Sequence, residues 1–295
     1  MMFALVARSG SPSPALEPAE RPPLAADEVR VEVAAAGFTL YDAAAAADPR
    51  ALGLPDVVGL GFDFGGTVLE AGSDVTRFAA GDVVAGLHVD VRARARAHAT
   101  EVVVPEGAVA PVPAGLRVEI AAAATLNALA ARQAVAGLVG TGRLLVTGAA
   151  GGVGSIAVAL ASRAGWKADA LVRGTGDTVA GAADVLTELS DPPTAAYDAV
   201  IDAAALQERA LGLVREGGQL VGFKPGQPVT PVRGIGVTTV LTEPDGTALA
   251  DLLTLVADGT VPVRLAGTRS LSRAAAAYAE AMSAPGSAGR WVLTP

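Results

Sequence analysis

The chain of 295 residues is 51% hydrophobic and carries a net charge of −8, enough apolar matter for a sizeable core and the wrong charge for a nucleic-acid partner. It has no cysteine and two histidines, His88 and His98, which excludes disulfides, thiolate nucleophiles and thiolate metal sites. No apolar run is long enough to span a membrane, and no basic stretch precedes an apolar one at the N-terminus, so an unexported cytoplasmic protein is expected.

In chain order, strands are predicted over 1–10 and 28–36. Residues 29–33 alternate apolar and charged at period two, the pattern of a half-buried antiparallel strand. A Pro-rich connection fills 11–23, and the alanine tract 43–47 predicts a helix. Strands interrupted by glycine turns follow over 57–72, another turn and strand over 81–84, and a further strand over 99–104. So many short strands imply a small β-barrel-like domain. His88 and His98 read as surface or loop residues, while Arg92, Arg94 and Arg96 alternate as on a solvated edge strand.

A helix is predicted over 119–139. Residues 143–173 then give an apolar run, a glycine-rich turn at 148–154, a helical segment and a second apolar run. This is the order of the first βαβ unit of a dinucleotide-binding sheet. Gly148, Gly151, Gly152 and Gly154 serve a tight turn, close approach of backbone to pyrophosphate, and close packing of helix on strand. The helix starting near Gly152 aims its unpaired N–H groups and positive dipole end at the phosphates. Strands over 198–203, 218–223 and 234–242 and a helix over 206–214 complete a parallel, doubly wound α/β Rossmann sheet. An amphipathic helix at 246–258 and a strand, helix and strand between 265 and 294 return to the first domain. The expected division is 1–118, completed by 246–295, and 119–245.

An NAD site of this type wants an acid at the end of the second strand, to bind the ribose hydroxyls. Here Arg173 stands there with Thr175 close by, a pair suited to a 2′-phosphate. NADPH is therefore the expected cofactor. Asp177, a few residues on, keeps NADH open, and Arg173 also reads as a solvated strand-end charge.

Seven stretches, 31–42, 61–82, 100–113, 148–154, 197–202, 217–222 and 289–293, together resemble the medium-chain dehydrogenase/reductase superfamily. The resemblance lies with its zinc-free quinone oxidoreductase and enoyl reductase branch. It implies a GroES-like β-rich catalytic domain beside the Rossmann domain, with the active site in the cleft between them. In the zinc-dependent branch, cysteine and histidine ligands stand where this chain has Thr39 and Phe62, so no metal is expected here. The resemblance assigns the cofactor to Gly148, Ala150, Gly151, Gly152, Val153, Gly154, Arg173, Thr175, Ala203, Gly222 and Phe223. Its catalytic candidates are Tyr41, Thr39 and Asn127. Tyr41 matches a proton-relay hydroxyl, although its ring also reads as packing beside Asp42, and Asp42 reads as structural.

Three positions depart from the branch. Asparagine is usual where Thr39 stands, an Arg-x-Gly-x-Tyr run is missing soon after, and a pocket threonine is replaced by Ala130. Asn127 either compensates or makes a local helix hydrogen bond. The expected activity is hydride transfer to an electron-poor double bond in an enone, enoyl thioester or quinone, a role suited to secondary metabolism. A cyclase or isomerase of a polyketide-like substrate, and a redox-silent NADPH-binding protein, stay open. The partner expected is a small electrophile, with no nucleic acid or membrane, and the family habit is a homodimer.

Overall fold

The computed structural model describes residues 1–11, 13–174, 178–187, 193–224, 226–283 and 289–295, without the side chains of 281–283. The chain forms two compact units. The first joins Met1–Leu126, Pro244–Ala257 and Val263–Pro295, and the second joins Asn127–Glu243 and Asp258–Pro262.

In the first unit, β3 (Glu28–Gly37) is the central strand. It pairs antiparallel with β5 (Asp63–Ala71), β7 (Glu101–Pro105) and β16 (Arg290–Thr294). The sheet extends through β6 (Val83–Leu87) and β8 (Val109–Pro111) on one side and through β15 (Leu265–Ser270) on the other. Val29, Val31, Val33, Phe64, Val68, Val84, Val102 and Val104 form its core. The β-branched residues suit a pleated, buried surface. The period-two alternation has one exception, Arg30, which is buried. Its Nε donates to Glu70 at 3.2 Å and its Nη2 to the Pro22 carbonyl at 2.9 Å, so the charge is sequestered with partners.

A second sheet joins β1 (Met2–Arg8), β2 (Ala15–Ala19) and β4 (Val57–Gly59). The Pro-rich connection predicted over 11–23 therefore contains a strand. It lies at the sheet edge, where Pro18 costs no ladder hydrogen bond. Helix α1 (Leu40–Ala47) packs its alanines with Leu5, Val58 and Leu60.

Helix α2 (Val118–Ala136) is alanine-rich, with Ala121 to Ala124 buried. The second unit is a six-stranded parallel sheet in the order β11-β10-β9-β12-β13-β14. The strands are β9 (Arg143–Thr147), β10 (Lys167–Val172), β11 (Asp184–Thr187), β12 (Tyr197–Asp202), β13 (Val214–Gly222) and β14 (Gly236–Thr239). The chain moves outward from β9 to β11, then returns to lie beside β9 and runs the other way. The reversal between β9 and β12 is where such sheets take ligands at their carboxyl ends. Helix α3 (Gly152–Arg163) links β9 to β10, and α4 (Glu208–Leu213) links β12 to β13. The described residues of the other crossovers form turns and bends. The short exposed β11 had no apolar run to announce it. Helices α5 (Gly246–Ala257) and α6 (Ala274–Ser283) belong to the first unit. Among the described residues no helix is long and apolar enough to cross a membrane.

Candidate functional site

In the second unit, β9 ends in a turn that only glycine can form. Gly148 has φ +60, and Gly154 packs so tightly that an added Cβ would lie 2.3 Å from the Gly148 carbonyl oxygen. Gly151 is the N-cap of α3 and brings no side chain to cap it. The first-turn N–H groups, those of Gly152, Val153 and Gly154, are thus left to a ligand, with the helix dipole behind them. The Asn127 amide lies on this turn, since a Cβ on Gly152 would meet its Nδ2 at 2.3 Å. Ala150 is in the same turn and half-buried.

A polar clasp that the sequence did not announce fixes the far side of the turn. The Thr147 hydroxyl donates to Asp202 Oδ1 at 2.6 Å and accepts from the Ala204 N–H at 3.0 Å. The Leu206 and Gln207 N–H groups also donate to Asp202, at 3.0 and 2.8 Å. This holds Ala203 and Ala204 against Gly148, whose Cβ would lie 3.1 Å from the Ala204 nitrogen. The readable signal was a threonine closing one strand and an aspartate closing its neighbour, Thr147 and Asp202 being register partners. Gly222 ends β13 level with Asp202 and lines a small recess with it, and half-buried Phe223 follows. Arg173 follows the last residue of β10 and is exposed, while Thr175 and Asp177 lie outside the described residues. Glycine cradle and uncapped helix start together fit a dinucleotide.

The first unit gathers a separate polar cluster. Thr39 is the N-cap of α1 in a complete capping box. Its hydroxyl donates to Asp42 Oδ2 at 2.6 Å and accepts from the Asp42 N–H at 3.0 Å. Asp42 is fully buried, and its Oδ1 accepts from the Gly61 N–H at 2.8 Å. Thr39 is thus committed to holding the helix start. Asp63, also fully buried, accepts from Arg290 Nη2 at 2.8 Å and from the Leu126 N–H at 3.1 Å. Burial pushes its carboxyl up, against the pull of Arg290.

Both histidines lie in the connection between β6 and β7, as loop residues, but His98 is not on the surface. His98 is buried, with Nε2 3.0 Å from the Gly37 carbonyl and Nδ1 2.9 Å from the Tyr278 hydroxyl. A carbonyl only accepts, so Nε2 carries the proton and Tyr278 donates to Nδ1. Burial lowers the His98 pKa and raises that of Tyr278, so both stay neutral. His88 Nδ1 is buried without a partner, and burial with the nearby Arg96 charge lowers this imidazole to about 4.

The arginine alternation is no edge strand either. Residues 92, 94 and 96 lie in the connection between β6 and β7, and Arg96 is 1% exposed. Its guanidinium carbon sits 4.0 Å from the centre of the Phe62 ring. Tyr41 meets the same ring edge-to-face, with centroids 5.3 Å apart. Burial raises the Tyr41 pKa, so its hydroxyl holds its proton at neutral pH. Residue 62, a carbon-only ring, and residue 39, spent on its cap, offer no ligand to a metal.

Comparison with known proteins places this geometry. Residues 25–114 match the alcohol dehydrogenase GroES-like domain. A solved alcohol dehydrogenase superfamily protein from Novosphingobium aromaticivorans superposes over the whole of both chains, with a TM-score of 0.85 at 24% identity. The two chains share one fold. A quinone oxidoreductase of Pseudomonas syringae shares this fold over the full length of both proteins, with a TM-score of 0.82 at 24% identity. There is also a likeness in sequence to a much longer synthase. The erythronolide synthase of Saccharopolyspora erythraea is 40% identical over 159 residues, which cover 52% of this chain and 4% of that protein. The chain thus spans a small part of the curated relative it matches.

Proposed function

We propose that this protein is a medium-chain dehydrogenase/reductase, an NADPH-dependent reductase of electron-poor carbon–carbon double bonds that acts without zinc on an enone, enoyl thioester or quinone. The observation that carries the reading is the uncapped glycine turn with Arg173, in place of an acid, at the end of β10. The likeness to a polyketide-forming synthase and to a quinone oxidoreductase supports the substrate class.

When bound, a reduced nicotinamide supplies a hydride. The chain's own residues bind, orient and protonate. N–H groups of Gly152, Val153 and Gly154 hold the pyrophosphate, and the Arg173 guanidinium pairs with the 2′-phosphate. Ala203, fixed by the Thr147–Asp202 clasp, and Gly222 with Phe223 border the nucleotide. As the β-carbon gains a C–H bond, the π pair of the double bond moves toward the conjugated oxygen. The α-carbon then takes a proton, which Tyr41, kept protonated by its burial, or water provides.

A second reading, a cyclase or isomerase on this scaffold, draws on the spent Thr39 hydroxyl and on the hydroxyl-free, buried Ala130. Binding titrations separate the cofactors: NADPH binds more tightly than NADH, and Arg173→Ala removes about 10- to 100-fold of the NADPH affinity, the worth of a charge-assisted hydrogen bond. Turnover against a panel of enones, enoyl thioesters and quinones separates the reactions. Decay of NADPH absorbance supports the reductase, and substrate conversion without NADPH consumption supports the isomerase. No loss of NADPH with any acceptor sinks the redox reading.

A further inference from the structure

Arg96 is the one buried cation here whose charge meets no hydrogen-bonded carboxylate among the described residues. Its Nη1 reaches the Gly59 carbonyl at a long 3.4 Å, and its Nε and Nη2 are buried with no partner. The other sequestered arginines are served. Arg30 holds Glu70, and Arg290 holds Asp63. The carboxylate that acts most on Arg96 is Asp42. Both of its oxygens are engaged, by Thr39 and by the Gly61 N–H. Asp90, also within electrostatic reach, is exposed and accepts from the Arg92 N–H.

Burying a guanidinium with idle donors carries a desolvation cost. The stack on Phe62 offsets only part of it. Its uncharged neighbours are aromatic: Phe62, Tyr41 on the same ring, and the proton-poor His88, whose Nδ1 is also unpartnered. In so dry a setting, fixed donors act on a developing negative charge far more strongly than in water.

We propose that Arg96 is the oxyanion-binding group of this protein, receiving through Nε and Nη2 the conjugated carbonyl oxygen of the substrate as that oxygen gains negative charge. The half-exposed Phe62 and Tyr41 rings would flank a flat conjugated substrate, and their side is where it approaches. The identity of the oxygen rests on the reductase reading, whereas binding of an anion at Arg96 does not.

The test uses crotonate, which carries on its carboxylate the charge the substrate oxygen would acquire. Thermal unfolding of the full chain is followed with crotonate, neutral crotonamide, or chloride at equal ionic strength. For the wild type, crotonate alone raises Tm saturably. Arg96→Met keeps the stack volume without the charge, unfolds at or above the wild-type temperature, and ignores crotonate. Arg96→Lys keeps part of the response. With an acceptor that the wild type reduces, Arg96→Met lowers kcat about 100-fold at little-changed KM, as loss of an oxyanion donor does. The proposal falls if the wild type shows no crotonate-specific shift or if Arg96→Met shifts equally. It also falls if Arg96→Met unfolds early or does not fold, because Arg96 is then structural. NADPH consumption with no response to crotonate overturns this inference alone. A crotonate response without any NADPH consumption overturns the reductase reading alone.

Discussion

His88 gives the sharpest pH prediction. It follows β6, its N–H donates to the Phe62 carbonyl at 2.7 Å, and its ring is neutral because burial and Arg96 lower it to about 4. The unfolded imidazole titrates near 6.5. Below that pH the unfolded chain takes up a proton that the folded chain refuses, so the contribution of His88 is complete above 6.5. It is lost as pH falls toward about 4. At about 1.4 kcal/mol per pH unit the whole window is worth about 3 kcal/mol. Partial exposure of the ring screens this to about 2 kcal/mol. His98, also lowered by burial, adds in the same direction. Two histidines give two imidazole resonances, so a proton NMR titration reads each directly, and one should titrate near 4. Urea unfolding at pH 7 and pH 5 then shows the stability loss, and His88→Gln flattens it. A His88 midpoint near 6.5, or an unchanged acid slope in His88→Gln, would refute the reasoning.

Other perturbations test other parts. Arg290→Met strands the fully buried Asp63 and should cost about 3–5 kcal/mol in urea unfolding. A double Asp63→Asn/Arg290→Met change should recover part of that loss. Gly154→Ala brings a methyl against the Gly148 carbonyl and should cost about 1–3 kcal/mol, with NADPH binding lost in a fluorescence titration. Thr39→Ala removes a helix cap and should cost about 1 kcal/mol, whereas Thr39→Ser should keep both stability and turnover.

The glycine turn was legible because each glycine answers a local backbone demand that sequence spacing records. The parallel sheet was legible for the same kind of reason, through alternating apolar runs and helices. Burial set by distant partners was not. Arg30 looked solvent-facing until Glu70 and Pro22 came to meet it. Strand β2 hid in a proline-rich stretch because an edge strand tolerates proline, and β11 offers only Val185 and Leu186 as an apolar signature. The connection carrying Arg92, Arg94 and Arg96 misled most. Only the fold brings Phe62 under the Arg96 guanidinium, and Tyr278 and Gly37 around His98.

The Phe62 ring, held between Tyr41 and Arg96, also works as a historical ratchet. By the resemblance drawn from the sequence, a zinc site here would need cysteine at 39 and histidine at 62. The first change strips the hydroxyl cap from α1 and leaves buried Asp42 short of one donor. The second removes the surface on which a buried cation rests, and a metal would then share its neighbourhood with that cation. Arg96 would have to be replaced first, at a stage when no metal is present to benefit. The first two steps are unfavourable alone, and the third removes the group proposed to bind the oxyanion, so metal chemistry is distant even though only a few side chains bar it.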